Sequence, residues 1–133
     1  MSGNREQMMG ALMGAAVADA LGVPHEFTPR SLFEAQPVTA MNGYGTHDQP
    51  PGTWSDDTSM ILATVATFLQ QPPTEGQEEN FLKHLIVHFL QWQREAKYTV
   101  DHDVFDIGGV TAEALSQYVI SDFFWHQPVD FKG

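Results

Sequence analysis

The chain of 133 residues contains no cysteine. Disulfides, thiolate-held zinc, iron–sulfur clusters and a cysteine nucleophile are therefore excluded, and a reducing cytoplasm is the compartment that fits. Basic residues are scarce, 6 Lys and Arg against 17 Asp and Glu, for a net charge of −11. Without a basic face the chain has no means of neutralising phosphates, which argues against nucleic-acid binding and against an anionic membrane surface. No apolar run approaches the roughly 20 residues of a membrane helix. The start, Met1 to Glu6, has no convincing signal-peptide core or cleavage site. What remains is ample for one folded domain, since 42% of the residues are hydrophobic and only 17% charged.

Helical periodicity dominates. Met9, Leu12, Met13, Ala16, Val17, Ala20 and Leu21 recur at spacings of three and four, which predicts an amphipathic helix ended by Gly22 and Pro24. Met8, Met9 and Met13 read as core filler. Gly10, Gly14 and Ala18 form a stripe of small residues suited to the close approach of a second helix. Ser31 to Glu34 has the spacing of a capping box and predicts a short helix. An irregular stretch from Pro37 to Ser55 carries the glycines and prolines of a binding loop. A further helix is expected from Asp56 or Asp57 to the break at Pro72-Pro73, and another after Thr74, with Gln77 completing a second capping box. The latter's apolar face is Phe81, Leu82, Leu85, Ile86, Phe89 and Trp92. A last helix holds Ala112, Leu115, Tyr118 and Val119, and the tail with Phe123, Phe124 and Trp125 has no period but is apolar enough to need a partner. Helices without alternating strands predict an all-α domain.

Three constellations could carry chemistry. The first is Thr53-Trp54-Ser55-Asp56-Asp57-Thr58-Ser59-Met60. Acids beside hydroxyl residues at a helix start fit either an N-cap or a hard-cation site, and spacing alone leaves both open. The second runs from Ala18 to Phe27. Asp19 stands near the C-terminal end of a helix, where the dipole disfavours an acid. It either faces solvent or ties down the loop that follows, which would hold Glu26 in place; by itself Glu26 reads as an ordinary loop acid. The third is Phe105-Asp106-Ile107-Gly108-Gly109, an acid between large apolar residues at a glycine turn. The nearby acids do not make an EF-hand, because Phe105 takes a position that needs oxygen. His84 and His88 are four apart but lack the intervening glutamate of the zincin pattern, so no metal is assigned there.

In order and spacing these motifs resemble the N-terminal half of the ADP-ribosylglycohydrolase family, over about residues 8 to 115. The resemblance implies an orthogonal helical bundle, truncated relative to the family, forming a single partial domain over residues 1–133. It implies two Mg²⁺ or Mn²⁺ ions and hydrolysis of the bond between ADP-ribose and a protein side chain or small acceptor. It places Ser55, Asp56 and Asp57 as metal ligands, Glu26 and Asp56 in catalysis, and Asp106 with Gly108 against the substrate. Ser55 stands where the family often has threonine, Ala18 replaces a usual glycine, and Ala112-Glu113 stands where arginine is common. The family's second half carries an Asp-x-Asp-Thr segment that is absent here, so half the ligand set is expected from elsewhere, a second chain or another copy. The alternative is a non-catalytic module that binds a cation, ADP-ribose or a protein partner.

Overall fold

A computed structural model describes residues 2–120. The tail with Phe123, Phe124 and Trp125 lies outside the described residues. Among these the protein is all-α: α1 (Ser2–Gly22), α2 (Arg30–Ala35), α3 (Asp56–Gln70), α4 (Glu78–Glu95) and α5 (Gly109–Ile120), with 3₁₀ turns at Val23–His25 and Gly45–His47. No described helix is long and apolar enough to cross a membrane. The chain divides into two compact units, Met1–Thr58 and Ser59–Gly133, with the boundary inside α3.

In the first unit α1 runs directly into the first 3₁₀ turn, which Pro24 enters with its preset backbone angle. Only the C-terminal end of α1 is buried: Ala20 is 4% exposed and Val23, just beyond it, 2%. Of the rest of the expected apolar face, Leu12, Ala16 and Leu21 are half-buried and the other residues are exposed. Met8, Met9, Met13 and Val17 are each at least half exposed, so the methionines are not core filler here. Among the described residues no helix approaches Gly10 or Gly14 of the small-residue stripe: a Cβ built on either would meet no described atom within 4 Å. Periodicity marked an apolar side of α1 that the described residues cover only in part.

The irregular stretch is organised by its close approach to the first 3₁₀ turn. Thr46 donates its hydroxyl to the Glu26 carbonyl at 2.6 Å. Gly45 has φ +55°, and a Cβ there would lie 2.1 Å from the Pro24 carbonyl oxygen, so only glycine fits. Neither expected capping box forms. Pro29, at φ −60° and ψ 138°, precedes α2 and its carbonyl accepts the Leu32 N–H, which puts Ser31 inside the first turn. Before α4, Gly76 turns the chain at φ +79° and Gln77 makes no side-chain cap. The neighbouring Glu78 carboxylate accepts the Gly76 N–H instead, and backbone N–H groups hold its pKa below the ordinary carboxylate value.

In the second unit Leu90, Trp92 and Leu115 form the fully buried apolar core, with Met60, Ile86, Phe89, Tyr98, Val104, Ile107 and Tyr118 packed on it. Along α4 the sequence-predicted face is mostly half-buried, Leu82 is 53% exposed, and His84 and His88 are buried as deeply as the apolar residues. Both histidines have hydrogen-bond partners. His84 Nδ1 donates to the Asn80 carbonyl at 2.8 Å. His88 Nε2 lies 3.2 Å from Gln70 Oε1, and His88 Nδ1 meets the Tyr98 hydroxyl. These are core histidines, in keeping with the missing zincin glutamate. Within α3 the buried Thr67 returns its hydroxyl to the Ala63 carbonyl at 2.8 Å, which satisfies a polar group in the interior.

Candidate functional site

The start of α3 is clamped by an acid from the end of α1. Asp19 Oδ2 accepts the Ser55 N–H at 2.9 Å, the Thr58 N–H at 3.2 Å and the Thr58 hydroxyl at 2.6 Å. Asp19 Oδ1 accepts the Ser55 hydroxyl at 2.6 Å. Ser55 Oγ in turn accepts the Asp57 N–H at 3.3 Å. Helix starts leave several N–H groups without intrahelical partners, and a negative group there also offsets the positive end of the dipole. Asp19 and Ser55 together take that role, so the sequence-expected N-cap is present and a second acid reinforces it from outside the helix. Asp19 does act as a tie. It does not bind the loop that follows it, as one sequence reading had it, but a segment 36 residues further on.

Asp56 and Asp57 follow the clamped Ser55 as the first two residues of α3. Asp57 is exposed, Asp56 is half-buried, and Ser55 is buried at 2% exposure. Ser55 gives its single hydroxyl proton to Asp19, so what its oxygen has left to offer is lone-pair capacity. Ser55, Asp56 and Asp57 are thus three consecutive oxygen donors on a fixed turn, a donor set whose hard chemistry suits Mg²⁺ or Mn²⁺. The Asp19 carboxylate also offsets the positive end of the α3 dipole, which disfavours a cation at a helix start.

Glu26 sits one residue past the first 3₁₀ turn. Its Oε2 is 2.6 Å from His47 Nε2, on the second 3₁₀ turn, and both side chains are largely covered, at 30% and 14% exposure. Phe27 follows in the left-handed region at φ 59°, its ring edge-on to His47 at 6.3 Å. His47 escaped the sequence reading. It lies 21 residues from its partner in a stretch without period, and only the abundance of glycine and proline there signalled that something was being built.

In the second unit Asp106 is half-buried and left-handed at φ 61°. Val104 and Ile107, on either side of it, pack on the Leu90–Trp92–Leu115 core. The Gly108 carbonyl accepts the Ala112 N–H at 2.9 Å and so opens α5, while Gly108 itself is exposed. The structure therefore brings Ser55, Asp56 and Asp57 together on one turn under Asp19, pairs Glu26 with His47, and sets Asp106 and Gly108 on the approach to α5.

Comparison with known proteins places the chain among named relatives. The chain is similar to the ADP-ribosylarginine hydrolase Tri1 of Serratia proteamaculans (strain 568), 32% identical over 120 residues, which are 90% of this chain and 30% of that protein. It is equally similar to the Tri1 hydrolase of Pseudomonas putida (strain GB-1), 32% identical over 126 residues, 94% of this chain and 31% of that one. The chain thus spans about a third of the length of these relatives. The profile of one family, ADP-ribosylglycohydrolase, matches residues 1–128, and with nearly the whole chain inside that match the protein belongs to the ADP-ribosylglycohydrolase family.

Proposed function

We propose that this chain takes part in metal-dependent hydrolysis of the bond between ADP-ribose and an arginine side chain, as part of a single ADP-ribosylglycohydrolase domain. The observation that carries the reading is the Asp19 clamp, which caps α3 from outside the helix and fixes the turn that bears Ser55, Asp56 and Asp57. Arginine as the acceptor is supported by the two relatives, both named as ADP-ribosylarginine hydrolases. In this reading Ser55, Asp56 and Asp57 hold Mg²⁺ or Mn²⁺. A cation held there would supply Lewis acidity toward water and substrate oxygens.

The chain's own groups do the rest. Glu26 Oε2 receives the proton of the attacking water, and His47 Nε2, 2.6 Å away, orients that carboxylate. Thr46 fixes the backbone beneath it by holding the Glu26 carbonyl. Asp106 accepts hydroxyl hydrogens of the ribose, and exposed Gly108 lets the substrate approach the backbone. Positioning of this kind matters because misplacement by about 1 Å can lower a rate about 100-fold.

The test is release of free ADP-ribose from an arginine-linked ADP-ribosyl peptide, with a serine-linked peptide beside it. Release from the arginine peptide that needs Mg²⁺ or Mn²⁺ and vanishes in Asp56→Ala supports the reading. Release that survives both a chelator and Asp56→Ala contradicts it. Binding of ADP-ribose with no release from either peptide favours the non-catalytic module.

A further inference from the structure

The segment between α4 and α5 is strained at four points. Ala96, Tyr98, His102 and Asp106 all have φ between 55° and 68°, a region that side-chain-bearing residues seldom occupy. Strain of this kind persists only where surrounding contacts over-determine it, and it gathers at functional sites. Several contacts of this segment meet at Tyr98. Its hydroxyl meets Nδ1 of His88, which is 1% exposed on α4. Its backbone carbonyl accepts the hydroxyl of the buried Ser59 at 3.0 Å. Its ring packs on the Leu90–Trp92–Leu115 core, and Lys97 Nζ stands 5.2 Å from the ring centre.

The tautomer follows from the partners. Gln70 Oε1 can only accept, so His88 Nε2 carries the hydrogen and Nδ1 accepts from Tyr98. The chain from Gln70 through His88 to Tyr98 therefore has one direction, with the Tyr98 hydroxyl as its donor to a buried ring. Beyond Tyr98 the next anchors on the core are Val104 and Ile107, which flank Asp106.

We propose that His88 and Tyr98 are positioning residues: their hydrogen bond latches segment 96–108 in its strained course and so fixes where Asp106 meets the substrate. This rests on the role given to Asp106 above. Neither residue touches substrate in this account. Tyr98→Phe is the informative change, since it keeps the ring on the core and deletes only the latch. A double variant, Tyr98→Phe with His88→Leu, removes the unpaired buried nitrogen as well. Gln70 is exposed and can turn to water, so the double variant recovers stability without restoring the latch.

The experiment combines amide hydrogen exchange with kinetics on the arginine-linked peptide. In Tyr98→Phe, exchange in residues 99–108 should rise about tenfold, the loss of one net hydrogen bond, while residues 84–92 of α4 stay protected. KM should rise with kcat held, the pattern of a displaced binding group. The double variant should regain the parent's melting temperature yet keep both the fast exchange and the raised KM, which a merely stabilising contact would not do. Exchange unchanged, or accelerated evenly across the second unit, overturns the latch. Fast exchange with an unaltered KM also overturns it, while leaving the functional reading intact. A parent that releases no ADP-ribose removes the role of Asp106, and the proposal with it.

Discussion

Two long helices of this chain, α1 and α4, have opposite fates. α1 has an unbroken apolar stripe of 3–4 spacing, yet Met9, Met13 and Val17 are at least half exposed and Gly10 and Gly14 face open space. α4 carries two histidines among its apolar residues, yet His84, His88, Leu90 and Trp92 are all buried. What secures the C-terminal end of α1 is polar. Asp19 spends its carboxylate on Ser55 and Thr58, and Ala20 beside it is buried. What secures α4 is packing, with His88 hydrogen-bonded inside to Gln70 and Tyr98. A regular stripe thus tells which side of a helix is apolar. Whether that side is covered depends on partners far away in the sequence.

The largest expected effect lies on the packed side of the contrast. Trp92→Ala removes the largest fully buried side chain and should cost about 3–5 kcal/mol, read from the urea midpoint. A loss within experimental error would mean that the core does not centre on α4. Next comes Asp19→Ala. It strands the hydroxyls and N–H groups of Ser55 and Thr58, both nearly buried, at about 1–3 kcal/mol for each group left unsatisfied. Asp19→Asn keeps one acceptor oxygen and should lose less. Equal losses in the two variants would show that the hydrogen bonds are not what matters.

The third effect is a pH dependence. Burial, then Lys97 and His84, push the His88 pKa below the usual histidine value. A histidine with a lowered folded pKa binds its proton more readily when unfolded. The stability it contributes is therefore complete above the usual pKa of about 6.5 and is lost as pH falls from there toward the folded value, by at most about 1.4 kcal/mol per pH unit. Urea midpoints at pH 7.5 and 5.5 should diverge in the parent and converge in His88→Gln. Matching slopes in the two proteins would place the acid sensitivity elsewhere. The smallest effect is the sharpest for the comparison itself. Met13→Gln, on the exposed part of the α1 stripe, should stay within about 0.5 kcal/mol of the parent. A loss approaching that of Trp92→Ala would show that the stripe is covered in solution.

Much of this was legible in the sequence, and the failures share a cause. The all-α class, the break at Pro72-Pro73 and the start of α3 at Asp56 follow from local signals that reach only a few residues. Both capping boxes had the right spacing and did not form. Pro29 takes the N-cap place of α2 two residues before Ser31, and near α4 the Glu78 carboxylate accepts the Gly76 N–H while Gln77 makes no side-chain cap. Asp19 was visible as an acid in an unfavourable place, but its partners lie 36 and 39 residues away and no period connects them. His47 gave less warning still, because nothing around it repeats. Residues whose role depends on a distant neighbour show themselves in sequence as local oddities: an acid at the wrong end of a helix, or a histidine in an aperiodic loop.

The central claim is that Asp19 and Ser55 cap α3 and so fix the turn on which, in our proposal, Asp56 and Asp57 hold a cation. Calorimetric titration of the chain with Mn²⁺ tests it most directly, alongside Asp56→Ala with Asp57→Ala and with helicity followed by circular dichroism. The account predicts a binding heat in the parent that disappears in the double variant while helical content is unchanged, since neither carboxylate is required for the cap. Identical binding heats in the two proteins, or a double variant that loses the helix along with the heat, would contradict it.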